Sequence, residues 1–104
     1  MADKKLTVMA RIKAKAGMEE QVRQDLMSLV GPTRSEEGCV NYDLHQNQND
    51  KSLFFLYENW VSKKALDEHL EMPYLKALKE KADQILAEPI DISLWEMISQ
   101  EDKK

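Results

Sequence analysis

The chain has 104 residues, of which 42% are hydrophobic and 33% charged, enough for one domain with a modest core and too few for two. Its 15 basic and 19 acidic residues give a net charge of −4. The signs are interleaved and no basic stripe could track a phosphate backbone, which argues against a nucleic-acid partner. The single cysteine, Cys39, excludes an intrachain disulfide. No apolar run is long enough to cross a bilayer, and the first residues lack an apolar signal core, so no membrane partner is expected and the expected compartment is the cytoplasm.

The elements follow from periodicity. Residues 1–5 are expected to form a tail. Leu6, Val8, Ala10, Ile12 and Ala14 alternate with more polar residues, which predicts a first strand. Met18, Val22, Leu26, Leu29 and Val30 recur at helical spacing, predicting a helix over 18–30. Gly31-Pro32 is expected to bend or break it, and Gly38 suits a C-terminal turn. Cys39–Gln46 predicts a second strand with Val40, Tyr42 and Leu44 on one face. The polar turn 47–51 joins it to a third strand, 53–60, as an antiparallel hairpin.

That third strand opens the stretch richest in packing and reactive groups, Ser52 to Tyr74. Leu53, Phe55, Tyr57 and Asn59 share one side; Phe54, Leu56, Glu58 and Trp60 share the other. Both sides are apolar in the first half, so cover is expected on both. Ser62 is placed to cap a helix from Lys63 to about Leu86, which Pro73 should kink or restart. Ile90–Ile98 alternates as a last strand, and 99–104 is a charged tail.

The order β-α-β-β-α-β predicts a ferredoxin-like α+β domain over 6–98: a four-stranded antiparallel sheet with two helices on one face. Two helices cover one face only. The other is expected to pack against a second copy, giving a homodimer through its sheet faces.

Four segments carry a family resemblance: the opening Leu-Thr-Val-Met-Ala-Arg-Ile-Lys, Pro32 to His45, Phe-Leu-Tyr-Glu-Asn-Trp (Phe55 to Trp60) and Ala-Leu-Asp-Glu-His-Leu-Glu-Met-Pro-Tyr (Ala65 to Tyr74). In their order and spacing the chain resembles the antibiotic biosynthesis monooxygenase family, dimeric α+β barrel proteins, and is similar to its quinol monooxygenase-like members. The resemblance implies a ligand cavity between helices and sheet, and oxidation of a small aromatic quinol or phenol by dioxygen without metal or flavin, hence no cofactor. Haem-degrading relatives carry an asparagine on the first strand where this chain has Val8-Met9-Ala10-Arg11, which speaks against haem. The His-x-x-x-Pro-Tyr pattern of His69, Pro73 and Tyr74 also resembles a branch that processes a phosphorylated signal metabolite, so an isomerase or degrading enzyme stays open. So does a non-catalytic, dimeric small-ligand-binding protein.

Each candidate residue has a functional and a structural reading. His69 is the candidate catalytic base, able to take a phenolic proton near neutral pH; it could instead satisfy a hydrogen bond at the helix–sheet seam. Trp60 could stack on an aromatic ligand or be core. Asn59 could orient a ligand oxygen, but shares a site with Trp60 only if the strand twists or bulges. Glu58 is a candidate polar cavity group or an ion-pair partner of Arg11 or Arg34. Tyr74 is a candidate pocket wall. A metal site from His45, Glu58 and His69 has the right ligand types without diagnostic spacing, so no metal is expected.

Overall fold

The computed structural model describes residues 5–99. Most of both expected tails therefore lies outside the described residues. Its elements are β1 (Leu6–Lys13), α1 (Glu19–Arg34), β2 (Cys39–Gln46), β3 (Leu53–Trp60), α2 (Lys63–Leu70), α3 (Pro73–Ile85) and β4 (Asp91–Trp95). All pairings are antiparallel, in the order β2-β3-β1-β4. This is the ferredoxin-like α+β arrangement expected from the sequence.

Alternation decides which residues meet the helices. Val8, Ala10 and Ile12 of β1 and Phe54, Leu56 and Trp60 of β3 are buried together with Val22, Leu26 and Leu29 of α1. Leu66 and Leu78 add the apolar stripes of α2 and α3. The opposite face carries Phe55, Tyr57 and Trp95, each more than a third exposed in the single chain.

Four local expectations need correction. Helix α1 does not break at Gly31-Pro32 but runs on to Arg34. Proline costs it the one amide that would have reached the Ser28 carbonyl. The last turn is held by tertiary contacts instead: Thr33 is buried, Arg34 Nε donates to the Tyr42 carbonyl at 3.1 Å, and its guanidinium meets Asp43 at 3.0 Å. Gly38 lies beyond the helix end and has no positive φ, unlike Gly17 at +88°.

Strand β2 does not keep one phase. Cys39 pairs with Trp60 and Asn41 with Asn59, so Val40 is an extra residue in a bulge. Cys39 thereby joins the helix side with Tyr42, and Val40 is left half-exposed. The last strand is shorter than Ile90–Ile98. Its pairing ends at Trp95 opposite Thr7, one residue inside the start of β1, and it starts at Asp91 opposite Arg11.

The long second helix is two helices. Ser62 caps α2 as expected, its Oγ accepting the Ala65 amide at 3.1 Å. Met72 is extended, and Pro73 starts α3 at its first position, where a fixed φ and a missing N–H cost nothing.

Candidate active site

The break between α2 and α3 sets the site. It places His69, on the last turn of α2, and Tyr74, on the first turn of α3, around one carboxylate. Oε2 of Glu36, in the α1–β2 connection, lies 2.7 Å from His69 Nδ1 and accepts the Tyr74 hydroxyl at 2.5 Å. Burial, then the hydrogen bond to Glu36 and the Glu36 charge, push the Tyr74 hydroxyl above its usual range, so it remains a donor. Toward an ionised Glu36, His69 must carry its proton on Nδ1. Nε2 is then the basic nitrogen, and no described residue hydrogen-bonds it.

Rings fix the imidazole plane. Trp60, fully buried, lies 4.6 Å from the His69 ring, centroid to centroid, at a tilt of 37°. Tyr42 meets it edge-on at 5.6 Å. Gly38 makes this packing possible: a Cβ there would lie 2.4 Å from the Ala65 Cβ. The glycine is required by close approach, because it lets α2 press against the connection that carries Glu36.

Glu58 stands beside these rings on β3, opposite Tyr42. Only 4% of it is exposed. Its Oε1 accepts the Trp60 indole N–H at 2.9 Å. Burial raises its carboxyl to about 7; the indole hydrogen bond opposes that rise and the charge of Glu36 adds to it. Burial, reinforced by Glu58, also pushes the Tyr42 hydroxyl well above its usual range.

His69, Glu58 and Tyr42 are the polar end of a cavity of about 40 Å³ whose other walls are aliphatic, from Val8, Leu26, Leu56, Leu66 and their neighbours. Through Leu70, Leu75, Leu78, Ile90 and Ile92 this cavity shares its outer wall with a groove of about 520 Å³. The groove rim carries Lys15 and Lys79 but also Asp83 and Glu88, so it has no net basic character.

The candidate residues therefore divide. His69 and Glu58 line the cavity, Trp60 supports both from behind, and Tyr74 reaches them through Glu36. Asn59 does not join them. It lies on the other sheet face, where its Oδ1 accepts from Thr7 at 2.6 Å and its amide donates to Asn41 at 2.9 Å. The bulge needed to bring Asn59 beside Trp60 is absent from β3; the sheet's bulge lies in β2, between Cys39 and Asn41. Glu58 pairs with neither Arg11, which meets Glu88, nor Arg34, which meets Asp43. His45 is exposed at the far end of β2, and among the described residues no three metal-ligating side chains converge. Glu36 was missed. Its partner is 33 residues away, and no local spacing marks it.

A sequence profile of the family described as "Antibiotic biosynthesis monooxygenase" matches residues 5–81. A Synechocystis protein without an assigned role is 30% identical over 92% of this chain, which spans 65% of that protein's length. The Bacillus subtilis protein named "Putative monooxygenase YcnE" is 28% identical, covering 88% of this chain and 97% of its own. The crystal structure of a Pseudomonas aeruginosa protein, PA3566, superposes with a TM-score of 0.90 at 30% identity over 95% of this chain and 99% of that one. With a matching profile over most of its length and the same fold, the chain belongs to the antibiotic biosynthesis monooxygenase family.

Proposed function

We propose that the protein is a cofactor-independent monooxygenase that oxidises a small aromatic quinol or phenol with dioxygen. The observation that carries this reading is the pairing of His69 Nδ1 with Glu36 at 2.7 Å in the wall of an apolar cavity. The carboxylate holds the ring and its tautomer, and stabilises the imidazolium that forms when Nε2 takes a proton. A phenolic hydroxyl placed against Nε2 then becomes an electron-rich anion. That anion can give one electron to dioxygen, and recombination of the radical pair forms the new C–O bond.

The lining favours an aromatic ligand over a phosphorylated one. The polar end of the cavity presents one carboxyl, one phenol and one imidazole and no lysine or arginine, and the outer groove balances two lysines with two acids. A single ring would extend its hydroxyl into the inner cavity and leave its body in the groove. We place the functional unit as a homodimer closed through the exposed face of Phe55, Tyr57 and Trp95, because an apolar sheet face of this kind ordinarily meets another surface.

The test is oxygen uptake by chelator-treated protein with a panel of hydroquinones, wild type against His69→Ala. Saturable uptake above the spontaneous rate, lost in a folded His69→Ala variant, is the expected result. No enhancement with any member of the panel, or uptake unchanged in His69→Ala, would overturn the reading.

A further inference from the structure

The wall of the inner cavity carries a second group able to move a proton. Glu58 reaches it from the sheet while His69 reaches it from α2. The two flank one indole: His69 packs on the Trp60 ring at 4.6 Å, and Glu58 Oε1 takes the Trp60 N–H at 2.9 Å. Glu58 Oε2 has no hydrogen-bond donor among the described residues. Among the described residues no lysine or arginine hydrogen-bonds or ion-pairs with the carboxyl, and none lines the cavity. The titratable groups nearest it are Tyr42 from β2, Glu36 and Cys39 from the α1–β2 connection and the start of β2, and His69 from α2. None of these supplies the fixed positive charge that would hold a buried carboxylate ionised.

We propose that Glu58 is a second catalytic acid–base residue, one that protonates the peroxide formed on the substrate and takes the ring proton released when the O–O bond breaks. The proposal rests on the quinol-oxidising reading above. In that reaction His69 Nε2 first takes the phenolic proton. The anion passes two electrons, one at a time, to dioxygen. A C–O bond forms, leaving a peroxide on a ring carbon that still bears hydrogen. The Glu58 carboxylic acid gives its proton to the outer peroxide oxygen. Its carboxylate then takes the proton from that carbon, and the C–H electron pair closes a carbonyl. The O–O bond breaks, and hydroxide leaves. Hydroxide takes the proton held by His69 and becomes water. The substrate has gained one oxygen and lost two hydrogens, dioxygen has supplied both oxygens, and both residues regain their starting states.

Two carboxyl properties suit the task. The folded carboxyl sits near neutral, at about 7, so acid and base forms are both populated at working pH. The indole hydrogen bond leaves Oε1 fixed and Oε2 available, so the carboxyl cannot swing into the sheet.

The experiment compares wild type, Glu58→Gln and Glu58→Asp in oxygen uptake with a hydroquinone that wild type turns over, measuring kcat, KM and hydrogen peroxide released. Glutamine keeps the shape and the acceptor for Trp60 but carries no proton to give. Expected for Glu58→Gln is a kcat lower by more than about tenfold at nearly unchanged KM. The pH limb near neutral should vanish. Hydrogen peroxide should appear in place of water: with the O–O bond uncleaved the C–O bond breaks instead, the departing peroxide takes the protons of His69 and of the second quinol hydroxyl, and the hydroquinone leaves as its quinone. Glu58→Asp should regain the limb at reduced kcat. Glu58→Gln turning over within about twofold of wild type, with the limb intact and no added peroxide, overturns the proposal while leaving His69 as base. Absence of uptake in wild type with every hydroquinone overturns the oxidation itself, and this proposal with it.

Discussion

Oε2 of Glu36 lies 2.7 Å from Nδ1 of His69, although 33 residues separate the two in the chain. The contact joins the turn after α1 to the end of α2, so it holds the site together and sets the proton on the imidazole. Both roles are separable. Glu36→Gln keeps the size but can also present an amide donor to Nδ1, which would put the proton on Nε2 and remove the base. Oxygen uptake should fall at least tenfold, on the order of 10²-fold. Nitrogen chemical shifts of His69 should show the changed tautomer. Unchanged turnover with an unchanged His69 spectrum would remove Glu36 from the mechanism.

Gly38 controls the same contact from behind. An added methyl would press on the Ala65 Cβ at 2.4 Å, and neither the backbone of α2 nor that of the connection gives freely. Gly38→Ala should cost about 1–3 kcal/mol in urea unfolding. It should also displace α2 and lower turnover more than a comparable loss of stability elsewhere, for example from Ser62→Ala, which removes only the α2 cap and costs about 1 kcal/mol. Equal activity in the two variants at equal stability would dissociate Gly38 from the site.

Trp60 touches both His69 and Glu58, and replacing it should be felt at Glu58. Trp60→Phe removes the indole N–H that steadies the Glu58 carboxylate, so the carboxyl should rise further above about 7. A carbon-detected titration of the glutamate side chains would follow it. Filling a fully buried indole site with a smaller ring should also cost about 2–4 kcal/mol. A Glu58 titration unmoved or lowered in Trp60→Phe would mean that the hydrogen bond does not hold in solution.

The exposed sheet face makes a separate prediction. Tyr57 stands between Met9 on β1 and Asp43 on β2, in the middle of the uncovered side. In the proposed homodimer, Tyr57→Glu buries a charge without a partner. Light scattering after size exclusion should show a dimer for wild type and a folded monomer for Tyr57→Glu. A monomeric wild type would dispose of the dimer.

How much of this was legible in the sequence depends on range. Alternation in 6–14, 53–60 and 90–98 and the stripe Val22, Leu26, Leu29 are local signals, and they led to the right sheet with helices on one face, though the last strand ends earlier, at Trp95. Ser62 and Pro73 act within a turn of themselves and were read correctly as a cap and a restart. Pro32 was misread because the forces that keep α1 helical past it, Arg34 on Tyr42 and Asp43, come from the next strand. The β2 bulge was invisible because Val40, Tyr42 and Leu44 alternate cleanly with Asn41 and Asp43, so the pattern alone could not say that the phase slips at Val40. His69, Glu58 and Trp60 stood out by residue type, whereas Glu36 emerged only when two helices and a turn met.

Glu58 also makes stability depend on pH, with a sign opposite to that of most carboxylates. Its ordinary value is 4.5 and its folded value about 7, so the folded chain holds this proton more tightly than the unfolded chain. Below pH 4.5 both states are protonated, and the carboxyl contributes its full stabilisation. As pH rises from there to about 7 the unfolded chain alone has lost the proton, and that contribution drains away. A rise of this size corresponds to roughly 3 kcal/mol at most, spread over that window. Asp50 does not blur the reading. Hydrogen bonds from Lys13 and Ser52 lower it to about 2, so its own contribution is lost only in more acid solution. Urea midpoints measured at pH 5 and pH 8 should therefore show the wild type losing stability toward the higher pH. Glu58→Gln should lose much less over the same interval. A wild type equally stable at both, or a Glu58→Gln variant with the same slope, would mean that Glu58 is not the neutral-pH proton holder of this fold.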